Sequence, residues 1–398
     1  MSSSTPLKQL ADNQKIRIGI DATNIRIGGG ITHLLEIFNA IDAIGIESLQ
    51  IAQVCIWGGE PTLRALPNFP WLSKINPEPL NGPLWSRISW QIFSLSKAVR
   101  DANCDVLFVP GGSYIGSFHP VVTMSQNLFP FEWSAIQANG WSLRSLKFVL
   151  LRWAQSYSFK HSDGVIFLTQ YAQAAVLKVT GPLKAISTVI AHGLNPRFTY
   201  QAKPQLAIDQ YNDQHPYRLL YVSIIDTHKH QDQVILAVEQ LRRKGYPLSL
   251  TLVGPKEPKA FAQMERVIQT LTPPTNWLRY LGAIPYQTLE LEYQQADLGI
   301  FASSCETFGM IVLEKMSIGL PIACSERSSM HEILRDGGVY FDPLTPESIA
   351  KAIEEYVLSP QLREQKRDIA QELAKTYSWQ SCAQQTIAFM HQVAQRSK

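Results

Sequence analysis

The sequence predicts an α/β protein made of two parallel-sheet domains that face each other across a cleft. Short apolar runs alternate with helical patterns along most of the chain, which is typical of a parallel sheet covered by helices on both faces. The alternation stops once, near residues 195–216, in a polar, proline-containing stretch. This stretch divides the 398 residues into two parts, each long enough to bury its own core.

The first domain is expected over residues 15–200, after a polar tail at residues 1–14. An apolar run at residues 15–23 is followed by a glycine triplet and a helical pattern, as a strand, turn and helix would be. The remaining strands are predicted in LQIAQVCIW, DVLFVPGG, PVVTMSQN, DGVIFLT and AISTVIAHG. An amphipathic helix is predicted at residues 84–99.

The second domain is expected over residues 217–378, after a linker at residues 201–216. Its strands are predicted in YRLLYVS, LSLTLVG, NWLRYLG, ADLGIFAS, PIACS and VYFD. Residues 379–398 read as an amphipathic carboxyl-terminal helix that can cross back to the first domain. Ligands of open parallel sheets bind beyond the carboxyl ends of the strands, so we expect the site in the cleft.

Composition and charge exclude several classes of protein. The net charge is +3, and residues 1–200 carry 16 Lys/Arg against 11 Asp/Glu, far from the basic clustering of a nucleic-acid-binding surface. The five cysteines form no CxxC pair, which argues against a disulfide framework or a zinc site. No signal peptide or membrane-spanning run is apparent. We expect a cytoplasmic protein, either free or peripheral at the inner membrane face.

The most informative stretch is FASSCETFGMIVLEKMSIGLPIACS at residues 301–325. A strand ends at Ala302, a polar loop follows, and Phe308-Gly309 opens a helix that Gly319 closes. The free amides and positive dipole of a helix start form a ready phosphate site. Gly309 has no Cβ, so a diphosphate can approach the backbone there.

Two carboxylates, Glu306 and Glu314, frame this turn. Eight helical residues span about 12 Å, more than the roughly 5–9.5 Å that separates the carboxylates of glycoside hydrolases. The spacing therefore favours two hydrogen-bond acceptors on one long ligand over a hydrolytic pair.

This segment resembles the Glu-x7-Glu donor-binding motif of glycosyltransferase family 4, whose members have the GT-B fold of two facing Rossmann-like domains. Further similar segments follow the family's order over about residues 15–390. They are GGGITHLLEI, VIAHGLNPRF, LLYVSIIDTHKHQDQVILAVEQL, LEYQQADLGIFAS and PIACSERSSMHEILRDGGVYFDP.

The resemblance implies roles for residues of the motif. Glu314 would accept hydrogen bonds from the donor ribose, and Glu306 from hydroxyls of the transferred sugar. The backbone amides of Phe308, Gly309 and Met310 would bind the sugar ring and phosphates.

Outside the motif, the resemblance implies that Gly29 and Gly30 close over the diphosphate from the first domain. Lys229 would neutralise the diphosphate leaving group, where a fixed cation helps the transition state most.

Two positions depart from the family pattern. The arginine that usually accompanies the phosphate-binding lysine is replaced by Ser223 and Ile224. The missing hydrogen-bond donor would come from His228, from His230 or from a different residue. Ser223 is retained as a donor-binding candidate.

The second departure lies after a first-domain strand, where the family often carries a His-Asp pair. Gln126 and Asn127 stand there in this chain. Both can orient a sugar, but neither is an effective general base.

The implied activity is transfer of a hexosyl group from a UDP- or GDP-sugar to a carbohydrate or lipid-linked acceptor, with retention of configuration and without metal or other cofactor. The expected setting is polysaccharide or glycolipid biosynthesis. The alternatives are a nucleotide-sugar epimerase and a non-catalytic sugar-nucleotide-binding subunit. No DxD motif is present.

Two further interpretations concern residues to which the resemblance assigns no role. His33, His192 and His331 are expected to be structural. The amphipathic segments at residues 83–100 and 143–160 mix basic and aromatic residues, so they suit either a membrane surface or packing on the sheet. Packing on the sheet is the preferred prediction.

Overall fold

The computed structural model describes residues 15–26, 28–137, 140, 142–194 and 203–396. The predicted tail at residues 1–14 lies outside the described residues, as do residues 201–202 of the predicted linker and the last two residues of the chain.

The first domain contains a seven-stranded sheet in the order β3-β2-β1-β4-β5-β6-β7, and every neighbouring pair is parallel. This is the doubly wound order, which reverses direction at β1. Its strands are β1 Ile16–Ala22, β2 Ile51–Gly58, β3 Leu72–Ile75, β4 Val106–Val109, β5 Val121–Ser125, β6 Gly164–Phe167 and β7 Ile186–Val189. Its helices are α1 Gly29–Ile44, α2 Glu60–Ala65, α3 Leu84–Phe93, α4 Leu95–Asp101, α5 Trp133–Gln137, α6 Leu143–His161 and α7 Gln170–Thr180.

The second domain contains a six-stranded parallel sheet in the order β10-β9-β8-β11-β12-β13, which reverses at β8. Its strands are β8 Tyr217–Val222, β9 Leu248–Val253, β10 Leu278–Tyr280, β11 Leu298–Phe301, β12 Ile322–Ser325 and β13 Val339–Phe341. Its helices are α8 Gln231–Arg243, α9 Pro258–Thr270, α10 Tyr286–Gln295, α11 Met310–Ile318, α12 Met330–Leu334, α13 Pro346–Leu358 and α14 Pro360–Ala374. The predicted fold class, two Rossmann-like domains facing across a cleft, is confirmed.

The last helix, α15 Trp379–Arg396, packs against the first domain. The His391 Nε2 donates to the Leu49 carbonyl over 3.1 Å. Gly164 in β6 lies so close to α15 that a Cβ there would be 2.7 Å from Val393. The chain therefore returns to the domain in which it began.

The loops that follow the central strands of both sheets meet in the cleft, where several hydrogen bonds join the domains. Thr307, after β11, accepts from the Leu128 amide over 3.1 Å. The Thr307 carbonyl accepts from the Thr169 hydroxyl over 3.0 Å. These bonds hold the loop before α11 against the first domain.

A charged pair also crosses the cleft. Arg144 of α6 donates to both carboxylate oxygens of Asp226, at 3.0 and 2.6 Å. Burial alone would raise the pKa of Asp226, but the adjacent His228 ring and the Arg144 guanidinium outweigh it and hold the pKa below the ordinary value of 3.8. The carboxylate is therefore charged at neutral pH.

We expect Arg144→Ala to lower the free energy of unfolding by about 1–3 kcal/mol at neutral pH, because it leaves a buried carboxylate short of a partner. The pKa of Asp226 is lowered by folding, so its contribution to stability is present above pH 3.8 and is lost as the pH falls toward the folded-state pKa. Denaturant unfolding at neutral and acidic pH measures the difference, with Lys160→Ala on the same helix as the control. An equal loss in both variants at neutral pH would contradict the assignment.

The two amphipathic segments correct one prediction. The segment at residues 83–100 forms two helices, α3 and α4, that meet at Ser94. Leu95 and Val99 are buried, but Trp85 and Phe93 are 74% and 79% exposed. Packing on the sheet therefore accounts for only part of the apolar surface, because these helices carry apolar side chains on more than one side.

Candidate active site

A cavity of about 350 Å³ lies in the cleft at the carboxyl ends of the central strands. The first domain lines it with Gly29, Thr32, Gln126, Leu168 and His192. The second domain lines it with Lys229, Phe301, Glu306, Thr307, Phe308, Gly309, Met310, Ile311 and Glu314. Most of the residues predicted from the sequence therefore line one cavity.

Helix α11 begins at this wall. Its preceding residue, Gly309, is left-handed with φ 90° and ψ 52°. The Val312 and Leu313 amides donate to the Gly309 carbonyl. The amides before them, at Met310 and Ile311, belong to the free first turn of the helix, and both residues line the cavity. The positive end of the helix dipole therefore points to the cavity.

Gly309 is needed for both conformation and space. A Cβ at this position would lie 2.8 Å from Met330 Cε, in addition to the strain of a positive φ. We expect Gly309→Ala to lower stability by about 1–3 kcal/mol and to weaken binding of a phosphate ligand, because the helix start must shift. Thermal unfolding and calorimetry with nucleoside diphosphates measure the two effects.

Gly245→Ala is the matched control for this prediction. Gly245 also has a positive φ, 97°, but a Cβ there would meet nothing within 4 Å. The control should lose some stability and keep ligand binding. Full ligand binding by Gly309→Ala would contradict the role given to the helix start.

A second helix start reaches the cavity from the first domain. Gly28 has φ 73°, and the Ile31 and Thr32 amides donate to its carbonyl at the start of α1. Gly29 lines the cavity, and a Cβ on Gly29 would meet nothing within 4 Å. The positive ends of two helix dipoles, one from each domain, therefore converge on one space.

Lys229 and Glu306 form an ion pair at the edge of this space. The Lys229 Nζ lies 2.5 Å from Glu306 Oε2. The lysine side chain is 8% exposed and the glutamate side chain 23%. Because the pair is largely shielded from water, its charges act more strongly on a ligand than surface charges would.

Three contacts fix the position of Lys229. Asp226 caps the short 3₁₀ turn Thr227–Lys229 by accepting from the Thr227 amide over 2.7 Å. The Tyr221 hydroxyl donates to the Lys229 carbonyl over 2.6 Å. The ammonium group lies 5.0 Å from the centre of the Phe301 ring. The cation is thus positioned before any ligand binds.

Glu314 lies one turn into α11 and accepts a hydrogen bond from the Tyr293 hydroxyl over 3.1 Å. The next residue, Lys315, is fully buried 5.4 Å from the Phe301 ring centre. Burial lowers the pKa of Lys315 to about 7. Nothing in the sequence marks this second lysine as a buried group, because a lysine in a helix is ordinarily exposed.

Other predicted residues lie around the cavity. Gly30 lies beside Gln126, since a Cβ on Gly30 would be 3.9 Å from the glutamine Oε1. Asn127 accepts from the Phe129 amide over 3.1 Å, which is the contact of a turn-forming residue. Ser223 is 3% exposed and its hydroxyl is buried, away from the cavity lining.

The two histidines considered as substitutes for the family arginine make other contacts. The His228 ring packs edge-on against Phe129, with centroids 4.5 Å apart. The His230 Nε2 lies 2.8 Å from the Ser304 hydroxyl. Burial lowers the pKa of both, that of His230 to about 4, so both are neutral at pH 7.

Several lining residues were not predicted. Thr32, Leu168 and His192 come from three separate loops and helices of the first domain. The His192 Nδ1 lies 3.2 Å from the His33 Nδ1, and burial lowers the pKa of both histidines. A neutral histidine in the cavity wall can serve as a hydrogen-bonding group toward a sugar. No local pattern marks such residues, because folding brings them together from distant positions.

Comparisons with known proteins place this site in a broader context, through a family match in the second domain and a fold match over both domains. Residues 205–373 match the family model described as glycosyl transferases group 1. O-antigen chain mannosyltransferase B of Escherichia coli is 32% identical over 174 residues, which are 42% of this chain and 44% of that protein. Glycogen synthase of Mycobacterium tuberculosis is 25% identical over 241 residues, 58% of this chain and 55% of that enzyme. The matched segments thus span about half the length of these curated relatives.

Solved structures match nearly the whole chain. Sucrose-phosphate synthase from Thermosynechococcus elongatus aligns with a TM-score of 0.73 at 16% identity, covering 95% of this chain and 98% of that one. The complex of Anabaena Alr3699/HepE with UDP and glucose aligns with a TM-score of 0.68 at 18% identity, covering 94% and 98%. These likenesses show that the fold is GT-B.

Proposed function

We propose that this chain transfers a hexosyl group from a nucleoside-diphosphate sugar, UDP- or GDP-linked, to a carbohydrate or lipid-linked acceptor with retention of configuration. The observation that carries the proposal is the Lys229–Glu306 pair beside the start of α11, with Glu314 further along the same wall. The match to the glycosyl transferases group 1 model and the mannosyltransferase activity of the Escherichia coli relative support it. The proposed setting is polysaccharide or glycolipid biosynthesis.

The donor diphosphate would occupy the space between the two helix starts. Free amides at Met310 and Ile311, with the dipole of α11, favour an anion there. Lys229 would then pair with a phosphate oxygen instead of Glu306. The Glu306 carboxylate would become available to accept hydrogen bonds from hydroxyls of the transferred sugar. Glu314 would accept from the ribose.

In the transfer step, the bond between the anomeric carbon and the diphosphate oxygen breaks, and a bond from the acceptor oxygen forms on the same face of the sugar. The acceptor proton passes to an oxygen of the departing phosphate. Lys229 stabilises the negative charge that grows on this leaving group. Gln126 and His192, on the first-domain side, would orient the sugars as hydrogen-bonding residues.

Calorimetry with UDP, GDP and ADP tests the proposal. Binding of at least one nucleoside diphosphate, followed by sugar transfer from the corresponding donor, is the expected result. Failure of all three to bind would overturn the proposal. A changed sugar stereocentre without transfer would instead indicate an epimerase, and tight binding without any turnover a non-catalytic subunit. NMR of the product anomer tests retention.

The proposal includes turnover without a metal ion. Among the described residues, no group of three or more His, Cys, Asp or Glu side chains is arranged to hold one. Lys229 and the two helix ends would supply the positive charge. We therefore expect the same kcat with and without EDTA, after pre-incubation with the chelator. A loss of activity that added Mg²⁺ or Mn²⁺ restores would contradict this part of the proposal.

A further inference from the structure

The first domain exposes an apolar surface that its own core does not use. Within the described residues, large apolar side chains at least 38% exposed cluster on α3, α6, the first residue of α5 and the loop between β4 and β5. We define this apolar face by Leu84, Trp85, Ile88, Phe93, Ile115, Trp133, Leu143, Leu146, Leu150, Trp153 and Tyr157.

On α6 the exposed residues form a continuous stripe. Leu143, Leu146, Leu150, Trp153 and Tyr157 are spaced by three or four residues and are 87%, 56%, 63%, 78% and 46% exposed. This spacing places them on one side of the helix. The helix also has an inward side, where Gln155, Ser158 and Phe159 are buried.

Hydrogen bonds join α3 and α6 through the loop that follows β4. The Gln91 side chain of α3 donates to the Ser113 carbonyl over 2.9 Å. The adjacent Tyr114 amide donates to the Ser158 hydroxyl of α6 over 3.1 Å. Ile115, the next residue, is 43% exposed. The two helices and this loop are thus neighbouring parts of one surface.

The charge of this surface favours an anionic partner. Residues 83–100 and 142–162 contain seven Lys/Arg and no Asp or Glu. Lys147 and Lys160 are exposed on α6, and the Arg152 guanidinium lies 5.7 Å from the Trp133 ring centre. Exposed tryptophans beside basic residues suit the headgroup region of a bilayer, where each ring has an apolar body and a polar edge. Within the described residues, no helix is long and apolar enough to cross a membrane.

The stripe begins at the mouth of the cleft. Arg144, next to Leu143, binds Asp226 at the start of the turn that carries Lys229. Phe148 of α6 stacks on Phe129 at 5.0 Å, and Phe129 contacts His228. A surface docked on this stripe would therefore lie beside the entrance to the candidate active site.

We propose that the apolar face docks on a bilayer containing anionic phospholipid, and that the acceptor is correspondingly a lipid-linked molecule that reaches the cleft from this surface. The choice of acceptor rests on the proposed function; the docking surface does not. Anionic lipid attracts the lysines and arginines, and burial of the leucines and tryptophans among the headgroups adds the apolar contribution.

Flotation with lipid vesicles tests the inference on the full chain. Wild-type protein is expected to bind phosphatidylcholine vesicles that contain phosphatidylglycerol, to bind phosphatidylcholine alone much less, and to dissociate at high salt. The triple variant Leu143→Ser, Leu146→Ser, Leu150→Ser should lower the partition coefficient at least about tenfold. Lys147→Glu with Lys160→Glu should reduce the preference for anionic vesicles.

The second domain offers a matched control. Leu291→Ser, Leu344→Ser, Leu358→Ser removes three leucines that are 54%, 55% and 60% exposed, and it should bind vesicles like wild type. No binding by wild type, or equal binding by both triple variants, would overturn the inference. A third outcome would also overturn the inference: wild type that binds no vesicles but forms a dimer, with the dimer lost in the Leu143→Ser, Leu146→Ser, Leu150→Ser variant. A second copy of the chain would then cover this face.

Nucleotide calorimetry on the same samples separates the two proposals. Vesicle binding without binding of any nucleoside diphosphate would leave the docking surface and remove the proposed function. Nucleotide binding without vesicle binding would leave the proposed function and remove the docking surface. Both triple variants should bind the nucleotide with the wild-type Kd, because none of the six leucines lines the cavity.

Discussion

Replacing Lys229 by alanine is expected to lower kcat by about 10²–10³-fold, the usual loss when one fixed group facing developing negative charge is removed. The Lys229 side chain is 8% exposed and its ammonium group lies 2.5 Å from Glu306 Oε2, so water in the space left by alanine would be a poor substitute for the charge. The negative charge that the Lys229 ammonium group faces grows on the diphosphate as this leaving group departs. The Kd for the donor should therefore change much less than kcat.

Lys259→Ala is a suitable control for this experiment, because Lys259 is an exposed lysine of the same domain on α9. Its kcat should equal that of wild type. Lys229→Arg tests geometry, since arginine keeps the charge and changes its shape and reach. Wild-type kcat in Lys229→Ala would remove the lysine from the mechanism.

Replacing Glu314 by alanine should act mainly on binding. The carboxylate lines the cavity in α11 and already accepts from the Tyr293 hydroxyl. Loss of charged hydrogen bonds to two hydroxyls of a ribose would weaken donor binding by about 1.5–3 kcal/mol, or roughly 10–100-fold in Kd. Calorimetry with the nucleoside diphosphate measures the effect without the need for an acceptor.

Two comparisons make this result specific. Glu355→Ala removes an exposed carboxylate from α13 in the same domain and should leave the Kd unchanged. The Kd of the nucleoside monophosphate should rise by a similar factor from wild type to Glu314→Ala, because this ligand keeps the ribose and lacks only the second phosphate. An unchanged Kd for both ligands would show that Glu314 binds no part of the donor.

The fold could largely be predicted from the sequence, because buried parallel strands appear as short apolar runs. KIRIGIDAT and ADLGIFAS became β1 and β11 at the centres of the two sheets. The helix predicted at residues 84–99 is instead broken at Ser94, a local packing detail that periodicity does not record. Periodicity also could not predict that the apolar stripe of α6 is exposed. A periodic pattern shows that a helix has an apolar side, but it does not show what covers that side.

The candidate site divides in the same way. Glu306, Gly309 and Glu314 belong to one contiguous segment, so their relation could be predicted from its strand, turn and helix. His192 and Thr307 required the folded structure: the first lines the cavity above a buried histidine, and the second bonds to the opposite domain. The prediction for Ser223 depends only on its position relative to a family motif, and its hydroxyl lies buried just after β8.

A crystal structure with the nucleoside diphosphate that binds best tests the central claim most directly. The account predicts phosphate oxygens within hydrogen-bonding distance of the amides at the start of α11, with the Lys229 ammonium on the diphosphate and the Glu314 carboxylate on the ribose. A nucleotide bound elsewhere, with the start of α11 vacant and Lys229 still paired to Glu306, would contradict it.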